Sequence, residues 1–188
     1  MSNPRVRLVE IDQAQGEVKE VFEDIQRLRG EGRVSNLFRG YAIFPELLKA
    51  NWQRMKALMG GGLSKKLKES VMVALAELNR CTYWISFHGT ALRDVGVNDE
   101  EIANIRNMDV DKIDLPEKEK RLFTLALRAH ADPHSVTDEE FARLREVGAT
   151  DQEIVEILEV MNFGDSINRF CDTLGIPPDT FLTYEMHP

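Results

Sequence analysis

An eleven-residue stretch occurs twice in this chain and restricts its fold more than any other feature. Leu92-Arg-Asp-Val-Gly-Val-Asn-Asp-Glu-Glu-Ile102 aligns without a gap, at an offset of 52, with Leu144-Arg-Glu-Val-Gly-Ala-Thr-Asp-Gln-Glu-Ile154. The same offset pairs Ala74 and Leu75 with Ala126 and Leu127, and Ile105 with Ile157. Each copy reads as two helices, a glycine turn and a capped third helix. Such duplicated helical units stack or pack about a pseudo-two-fold axis. The units predicted here are residues 64–106 and 116–158, preceded by N-terminal helices over residues 15–60.

The remaining pattern is helical too. Val18, Val21, Phe22, Ile25 and Leu28 recur at helical spacing, as do Leu47, Leu48, Met55, Leu58 and Met59. Pro45 suits a first helical turn, and Gly60-Gly61-Gly62 suits a helix stop. Ser64 is placed to cap the helix carrying Leu67, Val71, Leu75 and Leu78. Asn98, Thr137 and Thr150 each stand three residues before a glutamate, the spacing of a capping box. No segment alternates in the manner of strands. The expectation is an all-α single domain over residues 1–188, with about eight helices.

Chemistry gathers in the first copy alone. Cys81, Trp84, Ile85, His88, Leu92 and Val95 fall on one stripe of a helix. Asn79-Arg80 interrupts the helical run just before it, which puts the Cys81 thiol at a helix N-terminus, where the free N–H groups stabilise a thiolate. In the second copy Pro133, Val136 and Glu140 stand where the first has Cys81, Trp84 and His88. The second copy therefore reads as scaffold. By itself the stripe also reads as a core face holding a buried cysteine and histidine.

The spacing Glu69, eleven residues, Cys81, two residues, Trp84, three residues, His88 resembles the active-site motif of the alkylhydroperoxidase D-like, carboxymuconolactone decarboxylase family, with Trp84 where that motif has its second cysteine. Asn36-Leu-Phe-Arg-Gly-Tyr-Ala-Ile-Phe-Pro45-Glu-Leu-Leu48, Asn162, Asn168-Arg169 and Leu174-Gly175 resemble the family's peroxidase-related branch, so the likeness spans residues 15–180. In that family the cysteine at the Trp84 position attacks the peroxide bond. The resemblance implies a proton-relay role for Glu69 and His88 and a resolving role for Cys81, with Tyr83 and Trp84 lining the substrate pocket. It also implies a homo-oligomer. The attacking sulfur is absent, because an indole forms no thiolate.

Three functions follow as expectations. The first is a thiol-dependent, peroxidase-related antioxidant protein with a single-cysteine site and weak or altered activity, served by a thiol reductant. The second is a cofactor-free acid–base enzyme using His88 and Glu69 on a small organic acid or lactone, since the decarboxylase branch manages without the cysteine pair. The third is a non-enzymatic oligomeric ligand-binding module with Trp84 filling the site. Cys171 reads either as a core thiol beside Met161, Ile167, Phe170 and Leu174 or as a resolving partner for Cys81.

Other features exclude more than they suggest. A net charge of −8 without a basic cluster speaks against nucleic acid and anionic membranes. The N-terminus lacks an apolar signal core and no run approaches a membrane span, so a cytoplasmic location is expected. His130 and His134 have zinc-like spacing, but Pro133 breaks the helix that would align them, and neither metal nor cofactor is expected. His187 stands in a terminal tail.

Overall fold

A computed structural model describes residues 4–184; His187 lies outside the described residues. Among these there are no strands. Nine α-helices run in order: α1 Gly16–Arg29, α2 Asn36–Tyr41, α3 Pro45–Met59, α4 Lys65–Asn79, α5 Thr82–Asp94, α6 Asp99–Arg106, α7 Glu117–Ala131, α8 Asp138–Glu146 and α9 Asp151–Leu174. Short 3-10 turns occupy Ile11–Gln13, Val110–Lys112 and Pro133–Ser135. The chain is all-α, as its periodicity indicated. The additional short helix is α2, which Pro45 separates from α3 by starting a new first turn.

The helix bounds follow the sequence offset closely. Lys65–Asn79 and Glu117–Ala131 have equal length, and α6 and α9 start at Asp99 and Asp151. Between them the copies differ. The first has the long α5; the second has the Pro133–Ser135 turn and a shorter α8. Capping is uneven as well. Thr137 and Thr150 close full capping boxes, whereas Asn98 caps its helix but Glu101 turns to Lys66 and the Asp114 N–H instead.

The middle of α4 is the hub. Ser70 to Ala76 are all buried, because α5, α6, α7 and α9 cover it on every side. A helix enclosed on all faces needs apolar or small residues all round, which Val71-Met-Val-Ala-Leu-Ala76 supplies. Trp52, Trp84, Phe22, Phe38, Phe123 and Phe163 fill the remaining volume and are almost wholly buried. Leu28 departs from the expected stripe and is 58% exposed, since it lies in the last turn of α1 beyond the reach of the core.

One buried ion pair fixes the entry to α4. Lys68 Nζ lies 2.7 Å from Glu156 Oε1 and donates to the Leu58 carbonyl at 2.7 Å. The same carboxylate accepts from the Gly62 N–H at 2.8 Å and the Leu63 N–H at 3.2 Å. Gly61 is required for this approach, since a Cβ there would meet the Glu156 carboxylate at 2.1 Å.

Glu156→Ala should therefore cost about 3–5 kcal/mol, because it leaves the Lys68 ammonium and two N–H groups buried without their partner. Glu159→Ala, which removes a half-exposed pair with Arg54, should cost no more than about 1 kcal/mol. Urea unfolding of both variants checks the contrast.

Candidate functional site

The turn from α4 to α5 places the site. Arg80 adopts a left-handed backbone (φ 57°), its N–H closing on the Glu77 carbonyl at 3.0 Å. The Cys81 N–H returns to the Ala76 carbonyl at 2.8 Å. Cys81 then stands at the N-cap of α5. The two helices run back along one another, and Glu69 on α4 meets His88 on α5.

His88 Nδ1 lies 2.5 Å from Glu69 Oε2. An ionised carboxylate only accepts, so Nδ1 is the donor of this bond, and in the neutral ring Nε2 then carries the lone pair. Nε2 is buried and has no hydrogen-bond partner. Over the imidazole lies Trp84, its ring centroid 4.1 Å away and its plane tilted by 26°. Both rings border a cavity of about 290 Å³. Its apolar wall comes from Met55 and Leu58 of α3, Met72 of α4, Phe87 of α5, and Val160 and Phe163 of α9; Arg29, Lys65, Lys68 and Glu69 supply its charges. A neighbouring hollow of about 350 Å³ shares Arg29, Met59, Lys65, Glu69 and Phe87 and continues toward Arg33 and residues 181–183.

The cysteines lie elsewhere. Neither lines the cavity, and both are free and buried. Burial, above all, pushes the Cys81 thiol up to about 12, aided by Asp172 and opposed by N–H groups at the start of α5. Those helix N-terminal groups act as expected, but desolvation outweighs them. Cys171 is raised by burial first and then by the nearby Cys81. The Trp84 indole N–H approaches the Cys171 sulfur without closing a hydrogen bond. Trp84 thus reaches from the imidazole to the thiol pair.

Tyr83, one residue before Trp84 and so turned about 100° from it, is not among the residues lining the cavity. Its hydroxyl donates to Asp179 Oδ2 at 3.0 Å and accepts from the Leu37 N–H at 3.4 Å. Asp179 also accepts the Asn36 N–H at 2.6 Å. Residues 179–184 form a strap over α5. The Thr183 and Tyr184 N–H groups both donate to Thr90 Oγ1 at 3.0 Å, and a Cβ on Gly89 would meet the Tyr184 ring at 2.4 Å. His130 stands apart, 3.6 Å from Asp165.

Arg29 and the strap carried no signal in the sequence. The Arg29 guanidinium lies 5.3 Å from the ring centre of Phe87, 5.6 Å from Trp52 and 5.8 Å from Phe38. Its helix is remote in sequence from the Glu69–His88 motif. A basic residue ending a helix is favourable in any case, so nothing marked it.

Comparison with known proteins follows the same geometry. Residues 45–112 match the carboxymuconolactone decarboxylase family. The structure is similar to that of an uncharacterized peroxidase-related protein with an alkylhydroperoxidase AhpD core from Ralstonia eutropha JMP134. The TM-score is 0.81 at 27% identity, over 94% of this chain and 93% of that one. A peroxidase-related protein from Silicibacter sp. TM1040 gives 0.79 at 24% identity, over 96% of each chain. The debrominase Bmp8, as a cysteine-to-alanine variant in complex with 2,3,4-tribromopyrrole, shares the fold with a TM-score of 0.75 at 16% identity, over 95% of this chain and 93% of that one. No curated protein matches the sequence.

Two outcomes are expected. With a pKa of about 12, roughly one Cys81 in ten thousand is thiolate at pH 8. Alkylation of the native protein should therefore be far slower than that of the urea-unfolded chain at both cysteines, read by peptide mass. Burial also raises the Asp179 carboxyl to about 6, against the pull of the Asn36 N–H, Tyr83, Arg39 and Arg29. The folded protein then keeps a proton that the unfolded chain releases near 3.8. Its stabilising effect is complete below pH 4 and lost as pH rises through 6, about 3 kcal/mol at most. The stability difference between wild type and Asp179→Asn should shift by that order, in favour of the variant, between pH 4 and 7 in thermal unfolding.

Proposed function

We propose that this chain, a member of the alkylhydroperoxidase-like, carboxymuconolactone decarboxylase family, works on a small molecule by proton transfer through His88, with Glu69 holding the imidazole and no thiol taking part in the reaction. The observation that carries this reading is the composition of the cavity wall. His88, Glu69 and Trp84 border it and neither cysteine does.

The dyad is built as a general base. Glu69 takes the Nδ1 proton into a hydrogen bond, fixes the ring and offsets the positive charge that the imidazole gains when Nε2 accepts a proton. Nε2 has no protein partner to compete with a substrate. Trp84 holds the ring from its face, so the imidazole keeps one orientation. The apolar wall keeps bulk water from the proton and strengthens the Glu69–His88 interaction. A small ring of the size that the debrominase binds is compatible with a cavity of about 290 Å³.

The thiol reading keeps one specific support. Cys81 is the N-cap of α5, the position that the family's peroxide chemistry gives to its resolving thiol. On that reading the missing component is a sulfur at position 84, four residues before His88 and on the same face of the helix. Cys81 would then serve a weak peroxidase with an external dithiol as reductant.

The two readings separate in one set of assays. Solvent-deuterium incorporation into a panel of lactones and small carbon acids is followed by NMR, beside hydroperoxide consumption with excess dithiol. Deuterium exchange should survive Cys81→Ser with Cys171→Ser and fall about 10²–10⁴-fold in His88→Gln. Wild type should consume hydroperoxide poorly, and Trp84→Cys should consume it faster. Hydroperoxide turnover by wild type that disappears in Cys81→Ser, with no deuterium exchange, would return the chemistry to the thiol.

A further inference from the structure

Among the described residues, the cavity holds one largely buried cation that no carboxylate meets in a direct ion pair; Glu69 and Asp179 act on it only from a distance. Arg29 ends α1, is largely buried, and lines the cavity and the hollow beside it. Among the described residues it has no carboxylate within ion-pair distance. Its contacts are the faces of Phe87, Trp52 and Phe38 and, at 2.8 Å from Nη2, the Met55 sulfur. Cation–π contacts and a thioether recover only part of the hydration that a guanidinium gives up on burial.

The other charges are committed. Lys68 is held by Glu156 and the Leu58 carbonyl, and Glu69 is held by His88. Lys65 is exposed at the rim. Two polar groups of the cavity are therefore left to meet a ligand, the Arg29 guanidinium and His88 Nε2. Between them the lining is methionine, leucine, valine and aromatic side chains.

We propose that Arg29 is the residue that positions the substrate, gripping a carboxylate, so that the site takes small monocarboxylic acids with an apolar body. One guanidinium presents a fork that matches one carboxylate in a bidentate pair. Arg29 is the one cation of this largely apolar cavity that is both buried and outside an ion pair, which suits a monoanion better than a phosphate, since a phosphate carries more charge and needs more donors. The carboxylate is held at Arg29 and the apolar remainder lies along Met72 and Phe163. This inference rests on the acid–base reading for what His88 then does, but the anion grip is measured without turnover.

The test uses the full chain with benzoate and cyclohexanecarboxylate as probes, each against its neutral primary amide, with binding followed by calorimetry and by quenching of tryptophan fluorescence. Wild type should bind the acids at least about tenfold more tightly than the amides, the scale of one charge-assisted bidentate pair. Arg29→Met keeps an apolar stem against the aromatic rings and should erase that preference while retaining amide binding. Arg29→Lys should recover part of it. Equal binding of acid and amide by wild type, absence of binding by either, or a preference that persists in Arg29→Met would overturn the proposal. Displacement of benzoate by inorganic phosphate at equal concentration would overturn the monocarboxylate assignment. If Arg29→Met does not fold, the Arg29 side-chain N–H resonance of wild type, assigned through Arg29→Lys, must shift with benzoate and not with benzamide. Arg29-dependent binding without deuterium exchange would refute the acid–base reading alone; exchange without acid preference would refute the carboxylate grip alone.

Discussion

The hydrogen bond between Glu69 and His88 joins two helices, and the arrangement of the site depends on the register it requires. A carboxylate on α4 meets an imidazole on α5 only if the turn between them has one particular length. Arg80 sets that length by accepting a left-handed backbone, a conformation that costs a side chain about 1–2 kcal/mol. The return bonds to Glu77 and Ala76 offset part of it. Because α4 is covered on all sides, the carboxylate has a rigid base, and the lateral position of His88 follows from it. The register is then relayed outward: the ion pair of Lys68 with Glu156 ties the same helix to α9, one residue from Glu69.

Trp84 changes what the site can do without altering how it is built. An indole is flat, large and apolar except at one N–H. It lies over the imidazole, adds packing from its other contacts to Phe87 and Phe163, and neither thiol lines the cavity. The thiols then sit in dry surroundings, where the charged form of a sulfur is suppressed. An indole at position 84 thus leaves the imidazole without a cysteine sulfur beside it.

Much of this was legible in the sequence because it is local. Helical periodicity, Pro45, the glycine run and the caps mark elements within a few residues of themselves. The repeat extends that reach to 52 residues. Glu69, Trp84 and His88 announce themselves by spacing within one helical pair. What was hidden depends on tertiary approach. Arg29 is brought to the cavity by the packing of α1 against α3, and no motif near it says so. Tyr83 and Trp84 are neighbours in sequence, yet Trp84 lines the cavity while the Tyr83 hydroxyl is bonded to Asp179, a residue 96 positions away. The raised pKa of Cys81 reflects how α9 covers the turn, where the sequence offered only a helix N-terminus. Local field and global burial oppose each other at that sulfur, and burial wins.

The two similar stretches differ in a way that accounts for a single site. In the first copy the residues from Cys81 to Ile85 begin a helix and swing His88 toward α4. In the second, Pro133 removes a backbone donor and the chain takes a 3-10 turn before α8 begins at Asp138. Glu140, at the position of His88, is drawn to its own N-cap and to Arg128. The stretch without the long helix uses its polar residues to cap its own helix. Its gain is α9, which continues for 24 residues, where the corresponding α6 stops at Arg106, and supplies Val160 and Phe163 to the cavity of the first copy. One unit holds the reactive groups and the other closes the space around them.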